Sequence, residues 1–187
     1  MASDHRSQFS LMLGFSLLVA LILGSVWTDN QQKQSFALVR HTLEVEGQLS
    51  AVMSDFQDAE NGQRGFLITG QPDFLATYES AIRRVDGDLK ALENATLDNP
   101  SQQARFKRMR DLSTARLVLL GQVIAVYRSG DRTDTTAREQ LAPGKALMDQ
   151  IRGVVAAMKA EERGLLQSME RDVVRKNNLA QAGLILR

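Results

Sequence analysis

The stretch Glu60-Asn61-Gly62-Gln63-Arg64-Gly65-Phe66-Leu67-Ile68-Thr69-Gly70-Gln71-Pro72 decides how this chain folds. It closes a run in which core-type positions recur in alternating steps of four and three: Leu38, Thr42, Val45, Leu49, Val52, Phe56, Ala59, Gln63 and Phe66. That spacing is the seam of a helix in a bundle or coiled coil. Gly70 reads as its C-terminal cap, and Pro72 as the start of the next helix. Inside the helix, Gly62 and Gly65 each cost about 1 kcal/mol relative to Ala. Close packing or a buried polar contact is expected to compensate.

Working outward, a second helix is expected from about Asp73 to Asn94, with Phe74, Leu75, Tyr78, Ile82, Val85, Leu89 and Leu92 as its stripe. Leu97-Asp98-Asn99-Pro100 reads as a connector. A third helix is expected from Ser101 to Ser129, with Phe106, Met109, Leu112, Leu117, Leu120, Val123, Ile124 and Tyr127 inside, and Gly130 breaks it. A fourth begins near Thr133, is interrupted or kinked at Pro143-Gly144, and continues through Met148, Ile151, Val155, Met158, Glu162, Leu165 and Met169. The methionines read as flexible core filler. Short connections imply antiparallel neighbours, so the expected fold is all-α, an antiparallel four-helix bundle with long first and fourth helices.

Upstream, Phe9 to Trp27 carries no charge. About 20 apolar residues cross a bilayer core, so an N-terminal transmembrane helix is expected. A cleaved signal peptide would have a shorter apolar region and small residues at its cleavage site, whereas Val26-Trp27-Thr28-Asp29 offers a poor one. Arg6 before the span favours a cytoplasmic N-terminus. The expected organisation is a short cytoplasmic segment 1–8, a span 9–27, an extracytoplasmic four-helix domain 28–176, and an apolar tail 177–187. That tail reads as the opening of a second span in a longer parent chain. A short membrane-touching tail and a frayed helix end are the alternatives. At 1.5 Å per residue, Thr28 to Gly70 would reach about 60 Å from the membrane.

Composition narrows the function classes. A net charge of +1 gives no bulk field to steer the chain toward nucleic acid. The chain has no cysteine, which removes disulfides and thiolate metal sites. His5 and His41 are too few and too far apart for a metal site, and His41 is expected in solvent. No Ser–His pattern and no Gly-rich phosphate loop occurs. No catalytic residue, metal or cofactor is expected. Arg105, Lys107, Arg108 and Arg110 form a basic cluster, read first as a solvated face and second as a contact for an anionic ligand or headgroup.

The run Asp58-Ala59-Glu60-Asn61-Gly62-Gln63-Arg64-Gly65-Phe66-Leu67-Ile68-Thr69-Gly70 resembles the motif of the class-three CHASE domain, a cyclase/histidine-kinase-associated sensory extracellular domain. Further agreement lies in Gln71-Pro72-Asp73-Phe74-Leu75, in Leu97-Asp98-Asn99-Pro100-Ser101-Gln102, and in Met158 with Glu162-Arg163-Gly164-Leu165-Leu166. The resemblance covers roughly residues 35 to 175. Asn61 departs from it, standing where a small hydroxyl residue is expected. The resemblance implies an extracytoplasmic helical bundle between two spans, in the inner membrane, feeding a cytoplasmic kinase or cyclase. A homodimer in the lipid bilayer is expected, with the ligand unspecified and no nucleic acid partner. The alternative is an anchored helical scaffold that binds another membrane or envelope protein.

The residues expected to carry structure and signalling are Glu60, Gly62, Gln63, Arg64, Gly65, Gly70, Asp98, Asn99, Pro100 and Glu162. Glu60 and Arg64 share a helix face. Arg64 is expected to be partly buried and bonded to Glu60, to Glu162 or to both, with Gly62 and Gly65 letting a neighbouring helix approach.

Overall fold

The structure is a computed structural model that describes residues 2–130 and 135–185. Its elements are α1 (Ala2–Thr69), α2 (Pro72–Ala95), α3 (Pro100–Arg128) and α4 (Thr135–Ile185). Thr133, the interfacial Trp27 side chain and the side chains of the apolar tail beyond Asn178 lie outside the described residues.

Two compact units divide the chain, Met1–Arg40 and His41–Arg187. The first is helical, and Met12, Phe15, Leu18, Leu21 and Ile22 in it are exposed. Among the described residues no helix is long and apolar enough to cross a membrane.

The second unit is the bundle. Cross-helix pairs fix its up-and-down order. Ser50 and Glu46 on α1 meet Lys159 and Arg163 on α4. Asp55 and Asp58 on α1 meet Arg84 on α2. Gln102 and Arg108 on α3 meet Glu162 and Gln150 on α4. Further along α1, Gly62 lies against Tyr78 of α2, so in each of these helix pairs one number rises as the other falls, which makes them antiparallel.

The heptad of α1 is the spine of the core. Val45, Leu49, Val52 and Phe56 pack with Leu92, Phe106, Met109, Ile151 and Met158 in one cluster. Ala59 and Phe66 pack with Leu75, Tyr78, Ala81, Leu120 and Ile124 in a second. Burying one such large side chain contributes about 1.5–3 kcal/mol. The turns follow local chemistry. Gly70 takes φ +68 after the last turn of α1, a conformation that costs a Cβ-bearing residue dearly. Asn99 caps α3 by accepting from the backbone N–H groups of Ser101 and Gln102 at 3.0 and 3.2 Å, with Pro100 in the first turn.

Three expectations change. Of the two readings at Pro143-Gly144, interruption or kink, the interruption does not occur, since α4 is helical throughout its described length. Phe74 lies at the surface of α2 instead of in its core stripe. Leu165 is 40% exposed, because α2 and α3 are joined by a turn at Thr96–Asn99 and do not run on to cover α4 beyond Glu162.

Between α1 and α2, Arg84 bridges Asp55 and Asp58 at 2.6 and 2.8 Å. Asp88 stands beside this group. Burial first, then the charge of Asp55 and a hydrogen bond with it, push the Asp88 carboxyl above its ordinary value, while Arg84 pulls the other way. A carboxyl raised in the folded state stabilises the fold when protonated. That contribution is present below the unfolded value and is lost as pH rises through the folded one. Asp88→Asn, which mimics the protonated form, should raise the melting temperature at neutral pH. The gain should vanish at about pH 3, below the ordinary aspartate value. Thermal unfolding followed by circular dichroism at the two pH values checks this, and equal shifts at both would refute it.

Candidate functional site

Two polar clusters interrupt the apolar core, one toward each end of the bundle. The first surrounds the Glu60–Pro72 stretch. A Cβ placed on Gly62 would lie 2.7 Å from the Tyr78 backbone nitrogen and 2.8 Å from the Phe74 carbonyl oxygen. The backbones of α1 and α2 therefore touch there. A Cβ on Gly65 would lie 2.2 Å from the Phe74 ring, so that ring covers the glycine. Gln63 reaches across the bundle and donates from Nε2 to the Leu120 carbonyl in the middle of α3, at 2.8 Å.

Glu60 is in an ion pair, and its partner corrects the expectation. Arg116 on α3 donates to Glu60 Oε1 from Nη2 at 2.7 Å and from Nε at 3.2 Å. Arg64 is exposed and has no hydrogen bond or ion pair among the described residues. The Arg116 guanidinium also lies against Gly144 of α4, where a Cβ would come within 2.7 Å of Nη1. One arginine on α3 thus reaches α1 and α4 together. Nothing local in the sequence marks Arg116, since its partners lie 56 and 28 residues away.

The second cluster closes the other end. Glu162 on α4 is 1% exposed. Its Oε1 accepts from Gln102 Nε2 of α3 at 2.8 Å, and its Oε2 accepts from Thr42 Oγ1 of α1 at 3.3 Å. Gln102 also donates to the Met158 carbonyl at 3.0 Å. No cation pairs with Glu162 among the described residues, so neutral groups alone offset the cost of burying it. The amide oxygen of Gln102 is buried without a partner, a cost of about 1–3 kcal/mol.

Beside this, Glu161 ties α4 to the start of α3. It accepts from Asn99 Nδ2 at 3.1 Å and from Ser101 Oγ at 3.0 Å, and it pairs with Arg105. Asn99 therefore has two tasks, cap and cross-link. Asp98 is exposed, and Pro100 begins the helix. Of the residues singled out in the sequence, Glu60, Gly62, Gln63 and Gly65 converge at one cluster and Asn99 and Glu162 at the other, while Arg64 and Asp98 join neither. Gln102, Arg116 and Glu161 were not foreseen. No group of three or more acidic or histidine side chains suited to a metal ion occurs among the described residues.

The close approach at Gly62 reverses the usual sign of a Gly→Ala change. Gly47→Ala, where a Cβ meets nothing within 4 Å, should stabilise by about 0.5–1 kcal/mol through helix propensity. Gly62→Ala should destabilise despite the same propensity gain, because the α2 backbone must shift. Arg116→Ala should cost about 1–3 kcal/mol by leaving Glu60 unpaired, whereas Arg64→Ala should stay within about 0.5 kcal/mol. Urea unfolding of the four variants decides. Stabilisation by Gly62→Ala, or equal costs at the two arginines, would contradict the geometry.

Comparison with known proteins bears on the same residues. The crystal structure of the Rhodopseudomonas palustris histidine kinase HK9 sensor domain superposes with a TM-score of 0.60. It is 26% identical in sequence, and the match covers 66% of this chain and 97% of that one. No curated protein matches the chain. The model of the CHASE3 domain matches residues 36–172, a span that contains both polar clusters and all four helices of the bundle. With most of its length matched to that family and its bundle shared with a sensor domain, the chain belongs to the CHASE3 domain family.

Proposed function

We propose that this chain is the sensory input domain of a membrane signalling receptor and that it transmits through the junction at Glu162. The observation that carries the reading is the burial of this carboxyl group among α1, α3 and α4 with neutral partners alone. Among the described residues, the chain continues beyond that junction only in α1 and α4. A stimulus that alters the packing of the bundle must therefore leave it through these two helices. The likeness to a histidine kinase sensor domain supports a kinase as the output in the parent protein, with a cyclase as the other output the family resemblance implies.

In this reading the uncharged segment Phe9–Trp27 anchors the chain in the inner membrane with its N-terminus in the cytoplasm and the bundle outside. Two copies act together, and the stimulus favours one of two packings of α1 against α4. A ligand shifts that equilibrium only by its difference in affinity for the two states. Sensing of this kind needs no bond chemistry, and no residue is assigned a catalytic role.

Joining the chain through Arg187 to a histidine kinase catalytic core tests the reading. A coupling of about 1–3 kcal/mol corresponds to about 5–150-fold. Glu162→Ala should change basal autophosphorylation in membranes by at least about fivefold, whereas Arg64→Ala should leave it unchanged. Equal activity in both variants would favour a scaffold that binds another envelope protein.

A further inference from the structure

A groove of about 580 Å³ runs along the outer face of α3 and α4. We propose that it binds a small organic monoanion, a carboxylate on a compact apolar body. Its volume falls within the range of small-molecule sites, about 300–1,000 Å³.

The lining divides by chemistry. Ala104, Gly153, Val154 and Ala157 make an apolar floor, and Ser101, Arg105, Arg108 and Gln150 make a polar rim. The floor side chains are small, and a Cβ on Gly153 would meet nothing within 4 Å, so the space above it is open. The two arginines differ in what holds them. Arg105 pairs with Glu161 and bonds Ser101, so its charge is already matched. Arg108 donates from Nη2 to the neutral amide oxygen of Gln150 at 3.1 Å and has no carboxylate partner among the described residues. One uncompensated guanidinium therefore overlooks an apolar floor. A guanidinium offers paired N–H donors that match the two oxygens of a carboxylate. The matched charge of Arg105 favours a monoanion over a dianion. The apolar floor has nothing to offer the polar remainder of a sugar or a nucleotide, and it suits an aromatic or branched aliphatic body.

The groove lies beside Glu161, the neighbour of Glu162 in sequence, through Ser101 and Arg105. An occupant would thus bear on the contact that holds α3 to α4 at the junction. As the stimulus of a sensory domain the proposed ligand rests on the preceding reading, but as a binding site it does not.

The test uses the full chain in phosphatidylcholine nanodiscs and 4-fluorobenzoate as the probe, followed by fluorine NMR. Saturable broadening of the probe signal is expected, with 4-fluorobenzamide failing to compete. Arg108→Gln and Gly153→Val should each weaken binding at least about tenfold, a loss equivalent to 1.4 kcal/mol. Arg83→Gln, on the surface of α2, should leave it unchanged. Gly153→Val keeps the charge and fills open space, so it tests the groove even where Arg108→Gln alters the packing of Gln150. Absence of saturation, undiminished binding in both groove variants, or equal competition by the amide would overturn the proposal. Those results leave the coupling at Glu162 to be decided by the kinase fusion, and a fusion without coupling leaves the binding result standing.

Discussion

Glu162 constrains the bundle more tightly than any apolar contact does. An apolar side chain can be accommodated by neighbours of similar volume, because dispersion and burial are not directional. A buried carboxyl group is directional, and without partners it is very costly. It holds α4 at the height where Gln102 and Thr42 can both reach it. Gln102 in turn stands three residues after the capping Asn99, whose side chain accepts from its N–H, so the α2–α3 turn is tied to the same height. The vertical position of three helices thus follows from one side chain.

At the opposite end the constraint is steric. Gly62 brings the backbones of α1 and α2 together, and the Phe74 ring covers Gly65. Arg116 then links α3 to α1 through Glu60 and lies against Gly144 of α4. Between these ends the core consists of Val, Leu, Ile, Met and Phe side chains. Such a core tolerates small shifts, so the polar and glycine contacts at its ends set its registration. The same arginine accounts for the glycine of the Pro-Gly pair within α4. Pro143 removes one backbone donor, while the missing side chain of Gly144 makes room for Arg116.

Much of this was legible in the residues themselves. The four–three spacing from Leu38 to Phe66 placed the buried face of α1, because helix periodicity is a local property. Gly70-Gln71-Pro72 and Asn99-Pro100 marked turns for equally local reasons, a positive φ in one and a side-chain cap in the other. The unusual burial of Glu162 followed from its place on an otherwise apolar stripe. The partner of Glu60 did not follow. Spacing along α1 favoured Arg64, four residues on, but the pair that forms joins two helices and depends on how far α3 is raised against α1. That offset is a property of the assembled bundle, and no short pattern encodes it. Leu165 failed for a related reason. Its helix continues the apolar stripe, but the cover above it ends where α2 turns into α3. The basic cluster on α3 could not be divided in advance either, since only the structure shows that Arg105 has Glu161 while Arg108 has a neutral amide.

The socket around Glu162 also limits how far α4 can travel. One full helical turn is about 5.4 Å. A slide of that length would bring Met158 or Leu166 opposite Gln102 and Thr42, leaving the amide and hydroxyl facing hydrocarbon. Such a stroke loses both contacts to the Glu162 carboxyl and replaces neither. A displacement of a fraction of a turn, or a small rotation about the helix axis, stretches the contacts without exchanging their partners. The socket therefore acts as a detent that admits fine movements and resists coarse ones. In the proposed signalling role, such a detent would keep the stroke of α4 to less than one helical turn.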